Sequence, residues 1–239
     1  MSLENKVALV TGANRGIGAA TVKALLASGA GKVYAAARDV AKLPDFGDAR
    51  VVALQLDITS SSSIESAVTK AADVDILVNN AGTMAYGDFI NTPVEVVEAD
   101  MNTNYYGTLR VIRAFLPQFT GRGAGTIVNV VSILGLAPVP PIGAYSASKA
   151  AVHSMTQTLR ASLGQSGIKV LGVYPGPIET DLSKDLPLQK TPAEDAAANI
   201  VRGIDQGEIY IFPDPTSTQL GSLWSTNAKM LELTILSGG

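Results

Sequence analysis

Short apolar segments alternate with longer amphipathic segments along the whole chain. The apolar segments are rich in Val, Ile and Leu and show little polar alternation, which is typical of strands covered on both faces. They lie at Lys6–Val10, Lys32–Ala36, Val51–Leu56, Ile76–Val78, Thr126–Val131, Lys169–Val173 and Ile209–Phe212. The pattern therefore predicts a buried parallel sheet of about seven strands.

The segments between the predicted strands have helical periodicity. They lie at Ala19–Ser28, Ser63–Ala72, Pro93–Phe119, Ala144–Leu163 and Pro192–Gly203. Strand and helix alternate without a linker or an internal repeat, so we predict one α/β domain over residues 1–239, a Rossmann-type doubly wound parallel sheet with helices on both faces. The proline-rich stretch Gly135–Gly143 is expected to be a loop at the sheet edge.

Composition narrows the class of protein. Hydrophobic residues make up 46% and charged residues 16%, which favours a large core, and the net charge of -3 gives no basic field for nucleic acid. The chain has no cysteine and one histidine, so we expect neither thiol chemistry nor a transition-metal site. The N-terminus has no signal-peptide pattern and no apolar run has membrane-spanning length, so we expect a cytoplasmic protein without a membrane partner.

A glycine-rich turn follows the first predicted strand. It reads Gly12-Ala13-Asn14-Arg15-Gly16-Ile17-Gly18 and leads into a helix. Glycines let the backbone approach a pyrophosphate, whose charge is met by the amides of the helix N-terminus. The spacing differs from the general dinucleotide fingerprint, and a tight strand-to-helix turn without a ligand is the alternative.

The end of the second predicted strand carries the pair Ala37-Arg38. A carboxylate there would accept the ribose 2′-hydroxyl, whereas a small residue followed by Arg leaves room for a 2′-phosphate and supplies a charged donor. We therefore expect NADP(H), with NAD(H) possible, and expect Arg15 to close on the same phosphate. The alternative is that Arg38 is a solvated charge and that Asp39 binds the ribose.

Tyr145 and Lys149 lie four residues apart in a predicted helix, which places both side chains on one face. An ammonium beside a phenol lowers its pKa from ~10 towards the working pH, and such a Tyr exchanges a proton with a carbonyl or alcohol oxygen. Ser132 lies thirteen residues upstream at the end of a predicted strand, where α/β sheets bind ligands.

These residues together resemble the main branch of the short-chain dehydrogenase/reductase family, over nearly the whole chain. Besides the glycine turn, the resemblance rests on Asp57, Asn79-Asn80-Ala81-Gly82, Asn104, Ser132, Tyr145-x-x-x-Lys149 and Pro175-Gly176-x-x-x-Thr180, in the family's order and spacing. Val131 departs from a serine pair found in many relatives, so the assignment of Ser132 depends on its spacing to Tyr145.

The resemblance implies a catalytic tetrad. Tyr145 is the general acid/base, Lys149 lowers its pKa and holds the nicotinamide ribose, Ser132 orients the substrate oxygen, and Asn104 anchors a water in a proton relay. The expected cofactor-binding residues lie mainly in a cofactor half over about residues 1–125, and are Gly12, Asn14, Arg15, Gly16, Ile17, Gly18, Ala37, Arg38, Asp57, Ile58, Asn80, Ala81, Gly82, Tyr145, Lys149, Pro175, Gly176, Ile178 and Thr180.

The catalytic and substrate half, over about residues 126–239, is expected to carry most of the substrate pocket. The pocket is expected along Ala85–Phe89, Leu134–Pro138 and Asp181–Lys190, with Ser132, Leu134, Leu136, Pro138, Tyr145 and Leu182 as its named residues. We interpret His153 as structural. For Trp224, in the segment Pro213–Gly239, core packing or a subunit contact competes with a role in a substrate lid.

The leading functional hypothesis is an NADPH-dependent reductase of hydrophobic ketones or aldehydes, reversible as an alcohol dehydrogenase. The alternatives are an NAD+-dependent dehydrogenase of secondary alcohols and a nicotinamide-nucleotide sensor that has lost the chemistry. The resemblance also implies a homo-oligomer, a tetramer or dimer built on the two long helices.

Overall fold

Seven strands form one sheet in which every neighbouring pair is parallel. The computed structural model describes residues 2–184 and 187–236, so Asp185 and Leu186 of the expected substrate pocket lie outside the described residues. The strands are β1 Val7–Thr11, β2 Lys32–Ala37, β3 Val51–Gln55, β4 Ile76–Asn79, β5 Gly125–Val130, β6 Ile168–Val173 and β7 Tyr210–Ile211. Their order is β3-β2-β1-β4-β5-β6-β7, which confirms the predicted doubly wound sheet.

Helices cover both faces of the sheet. They are α1 Gly16–Ala27, α2 Ser61–Lys70, α3 Val94–Asp100, α4 Thr108–Arg122, α5 Gly143–Leu163, α6 Ala193–Gln206, α7 Pro215–Thr226 and α8 Ala228–Leu236. Alternate residues of the strands face opposite layers: Leu9 packs with α2, α4 and α5, whereas Ala8 and Val10 pack with α1 and α6. No helix of the described residues is both long and apolar enough to cross a membrane.

The predicted helix Pro93–Phe119 is three consecutive segments in the structure. The chain runs through α3, a π-helical segment at Met101–Gly107 and α4. A π-helical turn is wider than an α-helical one and is frequent at functional sites. Here it carries Asn104 into the interior, where the residue is 1% exposed.

The last strand is shorter than the predicted Ile209–Phe212. Only Tyr210 and Ile211 pair with β6, because β7 is the edge strand and the chain turns into α7 after it. Beyond β7 the helical spacing of the C-terminal segment corresponds to two helices, α7 and α8, up to Leu236.

The strand order places a crevice at the carboxyl edge of the sheet. β1 lies between β2 and β4, so the chain leaves β1 on one side and returns on the other. At such a switch point the loops after neighbouring strands diverge, and open α/β sheets bind ligands there. The turns after β1 and β4 are therefore expected to line a site.

Candidate active site

The turn between β1 and α1 requires its glycines. Gly12 and Gly16 have φ values of +66° and +52°, a region that side-chain-bearing residues rarely adopt. A Cβ atom on Gly18 would lie 2.2 Å from the carbonyl oxygen of Gly12. Arg15 precedes α1 without a side-chain hydrogen bond to its first turn. The first amides of α1 are thus free of a side-chain cap, as a pyrophosphate site requires.

A cavity of about 610 Å³ opens above this turn. It contains most of the residues predicted to bind the cofactor: Gly12, Asn14, Arg15, Gly16, Ile17, Gly18, Ala37, Arg38, Asp57, Ile58, Asn80, Ala81, Gly82 and Thr180. It also contains Leu182, which we predicted for the substrate pocket. Asp39 was the alternative ribose ligand, and Asp181 was assigned to the substrate pocket. Sequence reasoning missed Lys42, Leu56, Thr59, Thr83 and Thr103. Most of these lie within two residues of a predicted one, and proximity to the motifs was the only available signal.

The end of the cavity at β2 and β3 carries charges of both signs. Asp57 accepts hydrogen bonds from the amide and hydroxyl of Thr59 at 2.8 and 2.7 Å. The hydroxyl bond, the amide bond and the charge of Arg38 lower the pKa of Asp57 against the opposing effect of burial. Asp39 accepts a hydrogen bond from the amide of Ala41 and so caps a short 3-10 turn.

Arg15 does not lie free at the phosphate position. Its guanidinium is paired with the carboxylate of Asp181 at 2.8 Å, across the mouth of the cavity. The two side chains are 61% and 63% exposed. Arg15 lines the cavity and its partner in the structure is a carboxylate of the chain, so its contact with the phosphate stays a prediction. Arg15 and Asp181 are too far apart in the sequence for a local pattern to predict that they pair.

Asn80 ties the glycine turn to the end of β4. Its side-chain amide donates to the carbonyl oxygens of Thr11 and Gly12 at 2.9 and 3.2 Å. The hydroxyl of Thr11 in turn accepts the amides of Asn80 and Ala81 at 2.9 and 3.0 Å. The side chain of Asn80 therefore shapes one wall of the cavity through the backbone of the turn.

Lys149 and Tyr145 meet at the start of α5. The Lys149 ammonium lies 5.7 Å from the centre of the Tyr145 ring and donates a hydrogen bond to the carbonyl oxygen of Val130 at 2.8 Å. Lys149 is buried, and desolvation lowers its pKa to about 8, whereas the charge of Asp100 acts in the opposite direction.

The pKa of Tyr145 is raised rather than lowered. Burial raises it to about 12, a hydrogen bond with Ser132 opposes this, and the charge of Asp100 adds to it. Lys149 instead donates its hydrogen bond to the carbonyl oxygen of Val130, and its predicted effect on the pKa of Tyr145 stays a prediction.

Ser132 follows the end of β5 beside this pair. Its hydroxyl accepts the amide of Leu134 at 3.1 Å and donates to the carbonyl oxygen of Pro175 at 3.5 Å. These contacts fix the hydroxyl between the end of β5 and the loop after β6, where it lowers the pKa of Tyr145. The arrangement can orient an oxygen atom against the phenol.

Asn104 is held by hydrogen bonds to Thr83 and Ser148. Its amide nitrogen donates to the carbonyl oxygen of Thr83 at 2.9 Å and to the hydroxyl of Ser148 at 2.8 Å, and its oxygen accepts the amide of Thr83 at 2.8 Å. The side chain thus joins the segment after β4 to α5. Its predicted role in a proton relay stays a prediction.

The loop after β6 is anchored by the C-terminal part of the chain. The amide of Gly176 donates to Asp214 at 2.8 Å, and Asp214 also caps α7 through Ser217. Ile178 is buried with Ala20 and Ala193 between α1 and α6. Its side chain therefore packs between these helices, and its predicted cofactor contact stays a prediction.

The residues predicted for the substrate pocket have different surroundings. Leu134 is half-buried and Pro138 is exposed, whereas Leu136 packs against the larger core. Leu182 is 41% exposed at the cavity mouth, where the Tyr86 hydroxyl donates a long hydrogen bond of 3.5 Å to its carbonyl oxygen. The pocket is thus open to solvent on the side of these two residues.

His153 and Trp224 belong to an aromatic cluster between α5, β7 and α7. His153 Nδ1 lies 2.9 Å from the Tyr174 hydroxyl, and burial lowers the pKa of His153. The Trp224 ring packs against His153 and Tyr210 at centroid distances of 5.7 and 5.2 Å. Both contacts favour the structural interpretation of His153 and the packing alternative for Trp224.

Comparison with known proteins bears on the whole chain. Residues 6–191 match the short chain dehydrogenase family. An uncharacterized oxidoreductase of Staphylococcus saprophyticus is 37% identical over 77% of this chain and 83% of its own length. The oxidoreductase UcpA of Salmonella typhimurium is 33% identical over 80% of this chain and 76% of its own.

Solved structures agree with this result. A short chain dehydrogenase from Burkholderia cenocepacia, in complex with NADP, is 35% identical and superposes with a TM-score of 0.92 over 99% of both chains. One from Sphingobium yanoikuyae, in complex with NADPH, is 28% identical with a TM-score of 0.81 over 95% of this chain and 94% of that chain. From its sequence, its fold and these relatives, the chain belongs to the short-chain dehydrogenase/reductase family and is an NAD(P)-dependent oxidoreductase.

Proposed function

We propose that this protein is an NADPH-dependent reductase of ketones or aldehydes that also catalyses the reverse oxidation of alcohols. The observation that carries the proposal is the meeting of Tyr145, Lys149 and Ser132 at the carboxyl edge of the sheet, beside a cavity built by the glycine turn. These three groups can bind and protonate one oxygen atom, which is what carbonyl reduction requires of the protein.

The cavity fits a dinucleotide. The glycine turn can pack closely on itself and on the segment after β4 because Gly12 and Gly18 have no Cβ, and the uncapped N-terminus of α1 suits a pyrophosphate. We assign the pyrophosphate to the turn, the adenosine to Asp57 and Ile58, and the nicotinamide to the end lined by Gly82 and Thr180, near Pro175 and Gly176. When bound, the nicotinamide supplies or accepts the hydride.

The state of Tyr145 favours reduction. With a pKa of about 12 the phenol is protonated at neutral pH, which is the form that donates a proton to a carbonyl oxygen. Ser132 hydrogen-bonds the same oxygen and holds it against the phenol. Lys149, buried beside Tyr145, stabilises the phenolate that remains after the proton has left. Oxidation needs the phenolate at the outset, so the raised pKa makes that direction harder to start.

A preference for NADP(H) is supported by the charge at the adenosine end. Arg38 and Lys42 line this part of the cavity, while Asp39 is engaged by the turn that it caps. A 2′-phosphate would gain charge-assisted hydrogen bonds from such donors. The Burkholderia and Sphingobium relatives were solved with NADP and NADPH, which agrees with this assignment.

For the substrate we propose hydrophobic carbonyl compounds. Tyr86, Phe89, Leu182 and Leu188 are all more than 40% exposed on the segments that we assign to the pocket. Exposed apolar side chains at the edge of a cleft favour an apolar ligand. We also propose that the protein acts in the cytoplasm as a homo-oligomer built on α4 and α5.

The proposal is tested by following the absorbance of the reduced nicotinamide with a panel of aryl, aliphatic and cyclic ketones. We expect turnover with NADPH well above that with NADH, a shift towards NADH in Arg38→Asp, and loss of turnover with retained NADPH binding in Tyr145→Phe. Unchanged turnover in Tyr145→Phe would refute the mechanism. Tight NADPH binding with no turnover of any carbonyl or alcohol would favour the sensor instead.

A further inference from the structure

A buried carboxylate that the proposed mechanism does not use lies close to the catalytic turn of α5. Asp100, the last residue of α3, is 2% exposed. One carboxylate oxygen accepts the Thr83 hydroxyl at 2.7 Å, and the other accepts the amide of Ala85 at 3.0 Å. Within the described residues, no Lys or Arg nitrogen forms an ion pair with it at 4.0 Å or less. A buried charge without an ion pair is costly, so its presence calls for an explanation.

The two hydrogen bonds connect Asp100 to the wall of the cavity. Thr83 follows Gly82 and lines the cavity. Asn104 accepts a hydrogen bond from the backbone amide of Thr83 and donates one to its carbonyl oxygen. Asn104 continues the network to Ser148, whose hydroxyl donates to the carbonyl oxygen of Tyr145 at 2.7 Å. One polar network therefore joins Asp100, the segment after β4 and the first turn of α5.

The charge of Asp100 also reaches the catalytic pair. α3 and the π-helical segment pack against α5. The titratable groups of α5 on which Asp100 acts are Tyr145 and Lys149, and its charge raises the pKa of both. The neutral Ser132, which follows β5, also acts on the phenol of Tyr145. Within the described part of the chain, Asp100 is the charged group that acts on both Tyr145 and Lys149.

We propose that Asp100 is a positioning residue with two roles: its hydrogen bonds fix Thr83 and Ala85 at the cavity wall, and its buried negative charge acts on Lys149 and Tyr145 at the start of α5. This inference rests on the proposed function, because carbonyl reduction starts from Lys149 as an ammonium and Tyr145 as a phenol, the forms that a nearby negative charge favours. Without the charge, Lys149 loses its proton at lower pH, since desolvation then acts on it unopposed.

The decisive experiment separates the charge from the hydrogen bonds. Asp100→Asn removes the charge with little change in the shape of the side chain. Thr83→Val removes the hydroxyl that donates to Asp100 and leaves the charge in place. Tyr145 is titrated by the ultraviolet difference spectrum of tyrosinate, taken as each protein minus its own Tyr145→Phe partner. This titration needs neither substrate nor cofactor.

We expect the titration of Tyr145 to move to lower pH in Asp100→Asn and to stay at the wild-type position in Thr83→Val. We also expect the alkaline limb of kcat/KM with NADPH to move to lower pH only in Asp100→Asn. The wall segment is expected to shift in Thr83→Val, which loses the hydroxyl contact, and this shift should lower kcat/KM by about 10- to 100-fold in that variant. Asp100→Ser is a second neutral variant with a smaller side chain, in case the Asn variant does not fold.

A Tyr145 titration in the neutral variants equal to that of the wild type would overturn the electrostatic role. Equal shifts in Asp100→Asn and Thr83→Val would also overturn it, since the effect would then come from the wall segment alone. Failure of the proposed function has a different signature: the wild-type protein would turn over no carbonyl compound, while the tyrosinate titration would still report on Asp100.

Discussion

Replacing Asp181 by Asn is predicted to tighten the binding of NADPH without changing the binding of NADH. In the structure Asp181 holds Arg15 in an ion pair of 2.8 Å across the mouth of the cavity. If Arg15 pairs with the 2′-phosphate, as we expect from the sequence, the carboxylate and the phosphate compete for one guanidinium. Removing the carboxylate frees Arg15 for the phosphate, and NADH has no group that would benefit.

The magnitude follows from the exposure of the pair. Both side chains are more than 60% exposed, so water and salt screen the interaction. Exposed ion pairs contribute ~0 to 1 kcal/mol, which corresponds to an NADPH Kd lower by at most about fivefold in Asp181→Asn. The gain should shrink as salt is added, because screening weakens the competing pair in the wild-type protein.

The assay is a fluorescence titration of NADPH and NADH at low and at moderate salt. Asp48→Asn is the control variant, since Asp48 forms an ion pair of 2.7 Å with Arg50 outside the cavity. We expect wild-type affinities for both nucleotides in the control. Weaker NADPH binding in Asp181→Asn, or an equal gain for NADH, would show that the pair supports the shape of the cavity and does not compete with the phosphate.

Three further predictions concern stability and the site. Gly18→Ala should abolish dinucleotide binding, measured by the same titration, because the added Cβ would lie 2.2 Å from the Gly12 carbonyl oxygen; normal affinity would contradict the assigned turn. Phe115→Ala should lower the free energy of unfolding by ~3 to 5 kcal/mol in urea denaturation, since Phe115 is fully buried; a loss below about 1 kcal/mol would contradict its place in the core. Burial lowers the pKa of Lys149 from 10.5 to about 8. Between these pH values the unfolded chain binds more protons than the folded protein, so Lys149 makes the free energy of unfolding rise with pH, by ~3 kcal/mol in total. Lys149→Met should therefore flatten the pH dependence of unfolding between these values, and an unchanged slope would refute the desolvation argument.

Much of the fold follows from local pattern. The strands near Leu9, Leu77 and Ile127 are apolar on both faces, and such segments have few alternatives to the interior of a parallel sheet. The Gly12 turn is equally local, because positive φ and close backbone contact can be expected wherever glycines cluster between a strand and a helix. The predicted helix ends and the predicted bounds of the short edge strand β7 were less accurate, because tertiary packing decides where a periodic segment stops.

The sequence by itself determined the class of fold, the glycine turn and the set of residues with suitable chemistry, because each of these depends on side-chain type and short-range spacing. Only the tertiary structure decided which groups meet. It paired Arg15 with Asp181, turned Ile178 into the packing between two helices, and brought the carboxylate of Asp100 within electrostatic reach of Tyr145 and Lys149. Burial and long-range charge set the protonation of that pair, and neither quantity exists until distant segments of the chain have come together.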